Sequence, residues 1–195
     1  MSSHITQRLS MLGPEDLDEQ QRAVYEKIAS GPRAINSPFP LSDEEGHLNG
    51  PFGMMVSVPR LGEPLQALGV AVRFGSGLTG RMRETAILQV ALALQSDFEW
   101  WAHEKVARLA GITDDELAMI KAGQRFGRDE QERASQEVVD LLLNPGALSD
   151  DEFERVHAVL GEQTLIELSI VVGYYWTLSR MMHLFEVGVP HPQES

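Results

Sequence analysis

A recurring helix start constrains this chain more than any other feature. Ser or Thr is followed three residues later by Glu at Ser96 and Glu99, Thr113 and Glu116, Ser149 and Glu152, and Thr164 and Glu167. In such a pair the hydroxyl accepts an N–H of the first turn. The Glu reaches back to the N–H of the capping residue, so two orphan donors are satisfied together. Beyond these starts, apolar residues recur at three- and four-residue spacing. No stretch alternates with a period of two and β-branched residues. The expected fold class is all-α: a single-domain helical bundle without strands.

The organisation follows from the stops. Residues 1–12 are polar on balance and are expected to fray, 13–188 to form the helical domain, and 189–195 to be a tail. Pro14 is expected to open the first helix, with Glu15, Asp16 and Asp18 favoured by the dipole, and Gly31-Pro32 to end it. Residues 31–51, with Pro32, Pro38, Pro40 and Gly50, read as a long loop, either a lid over a site or a solvated, partner-binding insertion. Helices are expected over 52–58 and 61–74, then a turn from Gly75 to Gly80. Residues 81–95 read as a buried helix, because Ala86, Ile87, Val90, Ala91 and Leu94 leave few polar sides. Further helices are expected from Ser96 to Ala110, from Thr113 to near Gly123, over 129–143 with Pro145-Gly146 after it, and over 163–186. A faint echo, Arg83-Glu84 and Ile166-Glu167 each before an apolar run, hints at a duplicated helical hairpin.

Composition removes several function classes. With 16 basic and 29 acidic residues the formal charge is −13, so neither nucleic acid nor an anionic membrane surface is an expected partner. The most apolar stretch, 165–178, carries Glu167 and is short for a membrane span. No basic region followed by an apolar run opens the chain, so a cytoplasmic protein is expected. There is no cysteine, which excludes thiolate nucleophiles, redox pairs and thiolate-bound zinc.

The stretch 81–111 reads RMRETAILQVALALQSDFEWWAHEKVARLAG. In order it holds Arg83-Glu84, an apolar run from Ile87 to Leu94, Phe98-Glu99-Trp100-Trp101, His103, and an Ala-containing segment ending at Gly111. This ordered set resembles the core motif of the carboxymuconolactone decarboxylase-like family, within the alkylhydroperoxidase D-like superfamily. The following Ile-Thr-Asp-Asp-Glu-Leu also fits, and 171–176 fits more loosely. The resemblance covers residues 50–123 and extends toward 186. It implies an all-helical fold, assembly into trimers or hexamers, and sites near subunit boundaries. In the peroxidase branch a CxxC pair precedes the His. Here Ser96 and Glu99 stand at those positions, so the chain matches the cysteine-free, decarboxylase-type branch and a thiol peroxidase is not expected.

The residues themselves suggest a chemistry. Glu99 and His103 are four apart and share a helix face. An imidazole is readily tuned to exchange protons near neutral pH, and Glu84 from the preceding helix can orient it. Decarboxylation beside a lactone needs a donor for the developing enolate and an acid for the carbanion. The catalytic candidates are therefore His103, Glu84 and Glu99. Arg83 or Arg81 is expected to hold a substrate carboxylate by forked hydrogen bonds. Phe98, Trp100 and Trp101, and Tyr174, Tyr175 and Trp176, form two aromatic clusters, for a core or subunit interface or for the wall of a pocket that takes a cyclic substrate; Trp100 and Trp101 are the substrate-binding candidates. A plainer reading stands beside this one: Glu99 as a helix cap, Glu84 paired with Arg83, and His103 as a satisfied core residue. Glu84, Glu99 and His103, with His157 or His183 in reserve, also form a carboxylate-rich set. Their spacing is common in helices, and no metal or cofactor is expected. The function expected is a cofactor-independent lyase, decarboxylating or proton-shuffling a small carboxylated lactone or ring acid. The alternative is a small-molecule-binding or assembly protein with non-thiol or no catalysis.

Overall fold

The computed structural model describes residues 8–35, 37–144, 146 and 148–190. The expectations for residues 1–7, for Pro145 and for 191–195 fall outside them. Among the described residues every regular element is a helix, and the only β pairing is an isolated bridge between Ser42 and Leu48. The chain divides into two compact units, Met1–Phe74 with Arg180–Ser195, and Gly75–Ser179.

In the first unit, α1 (Glu19–Ala29) starts later than Pro14. Residues 13–16 close a turn, with Asp16 N–H donating to the Gly13 carbonyl, and a reciprocal box between Asp18 and Gln21 fixes the helix start. Local capping thus wins over the proline signal. The segment 31–51 is less open than expected. It contains α2 (Pro32–Ile35), Asn49 N–H donates to the Leu41 carbonyl, and the Tyr25 hydroxyl donates to the Gly46 carbonyl. α3 (Pro51–Ser57) and α4 (Pro59–Phe74) follow with Val58 alone between them. Met54, Met55 and Val56 are buried with Val24 and Ile28 of α1. Each such side chain contributes about 1.5–3 kcal/mol on leaving water. Gly62 permits the closest approach here: a Cβ on it would lie 1.8 Å from the Met55 carbonyl oxygen.

In the second unit, α5 (Gly80–Ala93) is apolar on nearly all sides and lies at the centre. α6 (Asp97–Leu109), α7 (Asp114–Lys121) and α8 (Glu130–Leu143) pack against it. Leu88, Ala107, Ile112, Leu117, Ile120 and Phe126 form one buried cluster. Between α6 and α7, Gly111 takes φ +85°, and Ile112 N–H returns to the Ala107 carbonyl, which is how a glycine ends a helix. The Thr113–Glu116 and Ser149–Glu152 boxes form reciprocally.

α9 (Asp150–Leu184) begins at the Ser149–Glu152 box, and its second part covers the helix expected over 163–186 as far as Leu184. It consists of two helical segments meeting at Gly161, whose φ of +74° and ψ of 163° are non-helical. Thr164 therefore opens nothing. Glu167 accepts instead from Gly77 N–H, at 3.0 and 3.1 Å. By length and composition, α9 is long and apolar enough to cross a membrane, as 165–178 alone was not expected to be. In its most apolar window 28% is buried, so a face with Ile166, Ile170 and Trp176 stays exposed.

One buried arginine ties this unit together. Arg81 donates from Nε to Glu132, from Nη1 to the Gly111 carbonyl and Glu116, and from Nη2 to Glu116 and Glu132, at 2.5–3.0 Å. All five guanidinium donors are used. The start of α5 is thereby clamped to α7, α8 and the turn at Gly111. Hydrogen bonds from Arg81 hold the Glu116 carboxyl at about 2, against an ordinary 4.5, and hold Glu132 low as well.

Two outcomes follow for stability. Gly62→Ala forces a side chain into backbone, so unfolding in denaturant should show a loss at or above the upper end of about 1–3 kcal/mol. The depressed carboxyl of Glu116 contributes stability that is complete above pH 4.5 and is lost as pH falls toward about 2. Denaturant unfolding across that window should show this decline in the wild type and a shallower one in Glu116→Gln.

Candidate active site

Three buried ionisable side chains meet where α5 faces α6. Glu84, in the second turn of α5, is 0% exposed; Glu99 and His103, one turn apart on α6, are 2% and 5% exposed. Removal from water penalises each charge severely unless it is paired. The pairing is specific. Nδ1 of His103 lies 2.7 Å from Glu84 Oε2, and Nε2 lies 3.4 Å from Glu99 Oε2. The short contact assigns the Nδ1 proton as donor to the Glu84 carboxylate. The longer one exceeds an ordinary hydrogen bond and is the looser end of the chain. Arg83 completes the group, donating from Nε to Glu84 Oε1 at 3.2 Å. With the imidazole protonated, two cations and two carboxylates sum to zero.

α6 begins as the sequence predicts, but not by the expected device. Ser96 is the N-cap residue and makes no side-chain capping bond. Its carbonyl accepts Trp100 N–H, and Glu99 turns to His103 rather than back to Ser96. Glu99 still lies in the first turn, where the helix dipole favours a negative charge. Tertiary pairing has displaced the cap.

The carboxylates stand at opposite edges of the imidazole, which suits proton transfer along a line better than chelation. The one group of three carboxylate and imidazole ligand atoms that converges among the described residues is Asp43, Glu45 and His47, in the other unit. His157 stacks on Phe153, with ring centres 5.3 Å apart, in a groove of about 620 Å³ that Glu162 and Ile166 also line. His183 is exposed near the end of α9.

The other sequence candidates separate. Arg81 cannot serve as a carboxylate anchor, because its five donors are consumed by Glu116, Glu132 and Gly111. Arg83, by contrast, has its Nε on Glu84, and no bond from either Nη is recorded among the described residues. Trp100 is turned into the structure: its Nε1 donates to Glu104, Lys121 lies 4.8 Å over its ring, and it packs on the Leu88 cluster. Trp101 packs on Phe98 beneath Lys105. The aromatic that meets His103 is Tyr175 of α9, at 5.0 Å between ring centres and 86° between planes. The sequence marks Tyr175 as one of an aromatic group, but nothing local links it to a histidine so far upstream.

Residues 59–140 match the model of the carboxymuconolactone decarboxylase family. No curated protein matches. Among solved structures, a protein of unknown function from Agrobacterium tumefaciens, described as an antioxidant defence protein of the AhpD type, is 22% identical. It aligns over 70% of this chain and 94% of its own with a TM-score of 0.63. An uncharacterised peroxidase-related protein with an alkylhydroperoxidase AhpD core, from Ralstonia eutropha JMP134, is 13% identical. It aligns over 98% and 95% with a TM-score of 0.73. At these identities the likeness is one of fold, and it supports the AhpD-like helical class.

Proposed function

We propose, on the premise that residues 59–140 belong to the carboxymuconolactone decarboxylase family, that this chain is a cofactor-independent lyase acting on a small carboxylated lactone or ring acid. The working domain in this reading is 13–188. The observation that carries it is the buried line from Glu84 through His103 to Glu99, with Arg83 alongside. A line of this kind stores a proton away from water and delivers it at one end.

The chemistry assigns each group a task. The Nη groups of Arg83 hold the substrate anion in a forked arrangement. The bond from the ring carbon to the carboxylate breaks, carbon dioxide leaves, and the electron pair spreads into the adjacent carbonyl as an enolate. His103 gives its Nε2 proton to the carbanion carbon, so one proton is consumed for each carbon dioxide released. Glu84 keeps the ring oriented through Nδ1. Glu99, at the looser contact, moves aside for substrate and takes part in restoring the proton. The absence of cysteine agrees with chemistry that needs no thiol.

The test is carbon dioxide release, with the accompanying ultraviolet change, from γ-carboxymuconolactone and related lactone acids. The wild type should turn over, and His103→Ala should lose at least about 100-fold while remaining folded. Retained turnover in that variant would remove His103 from the mechanism. No release by either protein would remove the decarboxylase reading in favour of a binding or assembly role.

The same reading includes self-assembly into a trimer or hexamer. The exposed apolar face of α9, with Ile166, Ile170 and Trp176, supports it. Light scattering should give a multiple of the chain mass for the wild type, and Ile170→Glu should shift the population toward the single chain.

A further inference from the structure

We infer that Tyr175 is the positioning residue for His103: its ring walls the imidazole so that Nδ1 stays on Glu84, and Nε2 stays aimed, when the Glu99 contact opens. The inference rests on reading His103 as the proton-carrying group, and it names the part of the fold that keeps that group aligned.

The argument starts from the freedom an imidazole has. A half-turn about the bond joining ring to Cβ exchanges Nδ1 with a carbon and Nε2 with the other. Glu84 and Glu99 would then both face C–H. While both contacts hold, at 2.7 and 3.4 Å, they resist that turn. The 3.4 Å contact is the weaker restraint, and it is also the one that must be released for Nε2 to face a substrate. At that moment hydrogen bonding fixes the ring at Nδ1 alone, and one bond does not prevent a ring from tilting about it.

Tyr175 supplies the missing restraint. It is 3% exposed and stands almost perpendicular to the imidazole, with ring centres 5.0 Å apart. At that separation and angle the two rings are in contact, so the phenol ring stands against the imidazole on the side of α9. Tyr174 backs it, again edge to face, at 5.2 Å and 87°. Two rings locked at right angles on one helix have little freedom to yield, because interiors are close-packed and side chains rest in staggered rotamers. The groups facing the imidazole are thus Glu84 and the adjoining Arg83 from α5, Glu99 from α6, and Tyr175 from α9. The restraint drawn from Tyr175 is the shape of its ring.

The experiment reads His103 in the resting protein and needs no turnover. The full chain is labelled with nitrogen-15 histidine. The Nδ1 proton, held on a buried carboxylate, should give a resolved, slowly exchanging signal, assigned by its disappearance in His103→Asn. Tyr175→Phe keeps the ring and should keep the signal. Tyr175→Leu removes the wall and should speed exchange of that proton with water by roughly 3- to 10-fold, the range an aromatic pair of this geometry supports. Backbone amides of α5 and α6 must keep their protection for that comparison. Should Tyr175→Leu fail to fold, Tyr175→Met, which refills the space with a flexible chain, is expected to show the same acceleration. An unchanged exchange rate in the folded Leu or Met variant would overturn the inference. So would acceleration in Tyr175→Phe equal to that in the Leu variant, since the hydroxyl rather than the ring would then be the restraint. A failed decarboxylase assay leaves these signals unaffected, so the two readings fail separately.

Discussion

The contact between Glu84 and His103 is the interaction on which the candidate site depends. A carboxylate with no exposure needs a charged or hydrogen-bonding partner, and the imidazole at 2.7 Å is that partner. The bond fixes the register of α6 against α5, because it requires His103 to face the second turn of α5. With Glu84 ionised, the nitrogen facing it carries the proton, which sets the tautomer. The other nitrogen is left to the second carboxylate. Removing either partner would strand the other as a buried polar group, an outcome more costly than never having built the pair.

Arg81 and Arg83 show how two identical side chains divide structure from chemistry. Two residues apart on a helix, they point about 200° away from each other. Arg81 faces the bundle and is saturated by Glu116, Glu132 and the Gly111 carbonyl. Arg83 faces Glu84 through Nε, and in the proposed reading its terminal nitrogens hold the substrate anion. Rigidity in the first is what gives precision to the second, because the clamp holds the turn of α5 from which Arg83 and Glu84 project.

Much of this is legible in the sequence, and the failures share one cause. The helical class, the central placement of α5 and the boxes at Thr113 and Ser149 follow from local pattern. Spacing places Glu99 and His103 on one helix face; that Glu84 reaches the same imidazole, and that Glu99 turns to it rather than capping, is decided by the packing of α5 on α6. The capping roles expected of Ser96 and Thr164 do not appear, because Glu99 and Glu167 find partners elsewhere: His103 for one, the Gly77 N–H for the other. A Glu three residues after a hydroxyl has two possible destinations, one local and one tertiary, and only the fold decides between them. The same holds for Arg81, whose partners lie 35 and 51 residues ahead. Tyr175 could be placed only within an aromatic cluster for a related reason: helical spacing identifies its face but not what that face meets.

The distances along the chain between partners have a consequence for how the protein comes into being. Glu84 and His103 are 19 residues apart, and Arg81 reaches Glu116 across 35. Chains emerge from the ribosome N-terminus first. The charged groups can therefore neutralise one another while α9 is still being synthesised, and the nascent intermediate need not hold an unpaired ion in its forming interior. Tyr175 arrives only with the final helix. The pairing of Glu84 with His103 is thus available early, and the ring of Tyr175 comes against His103 only once α9 has been made.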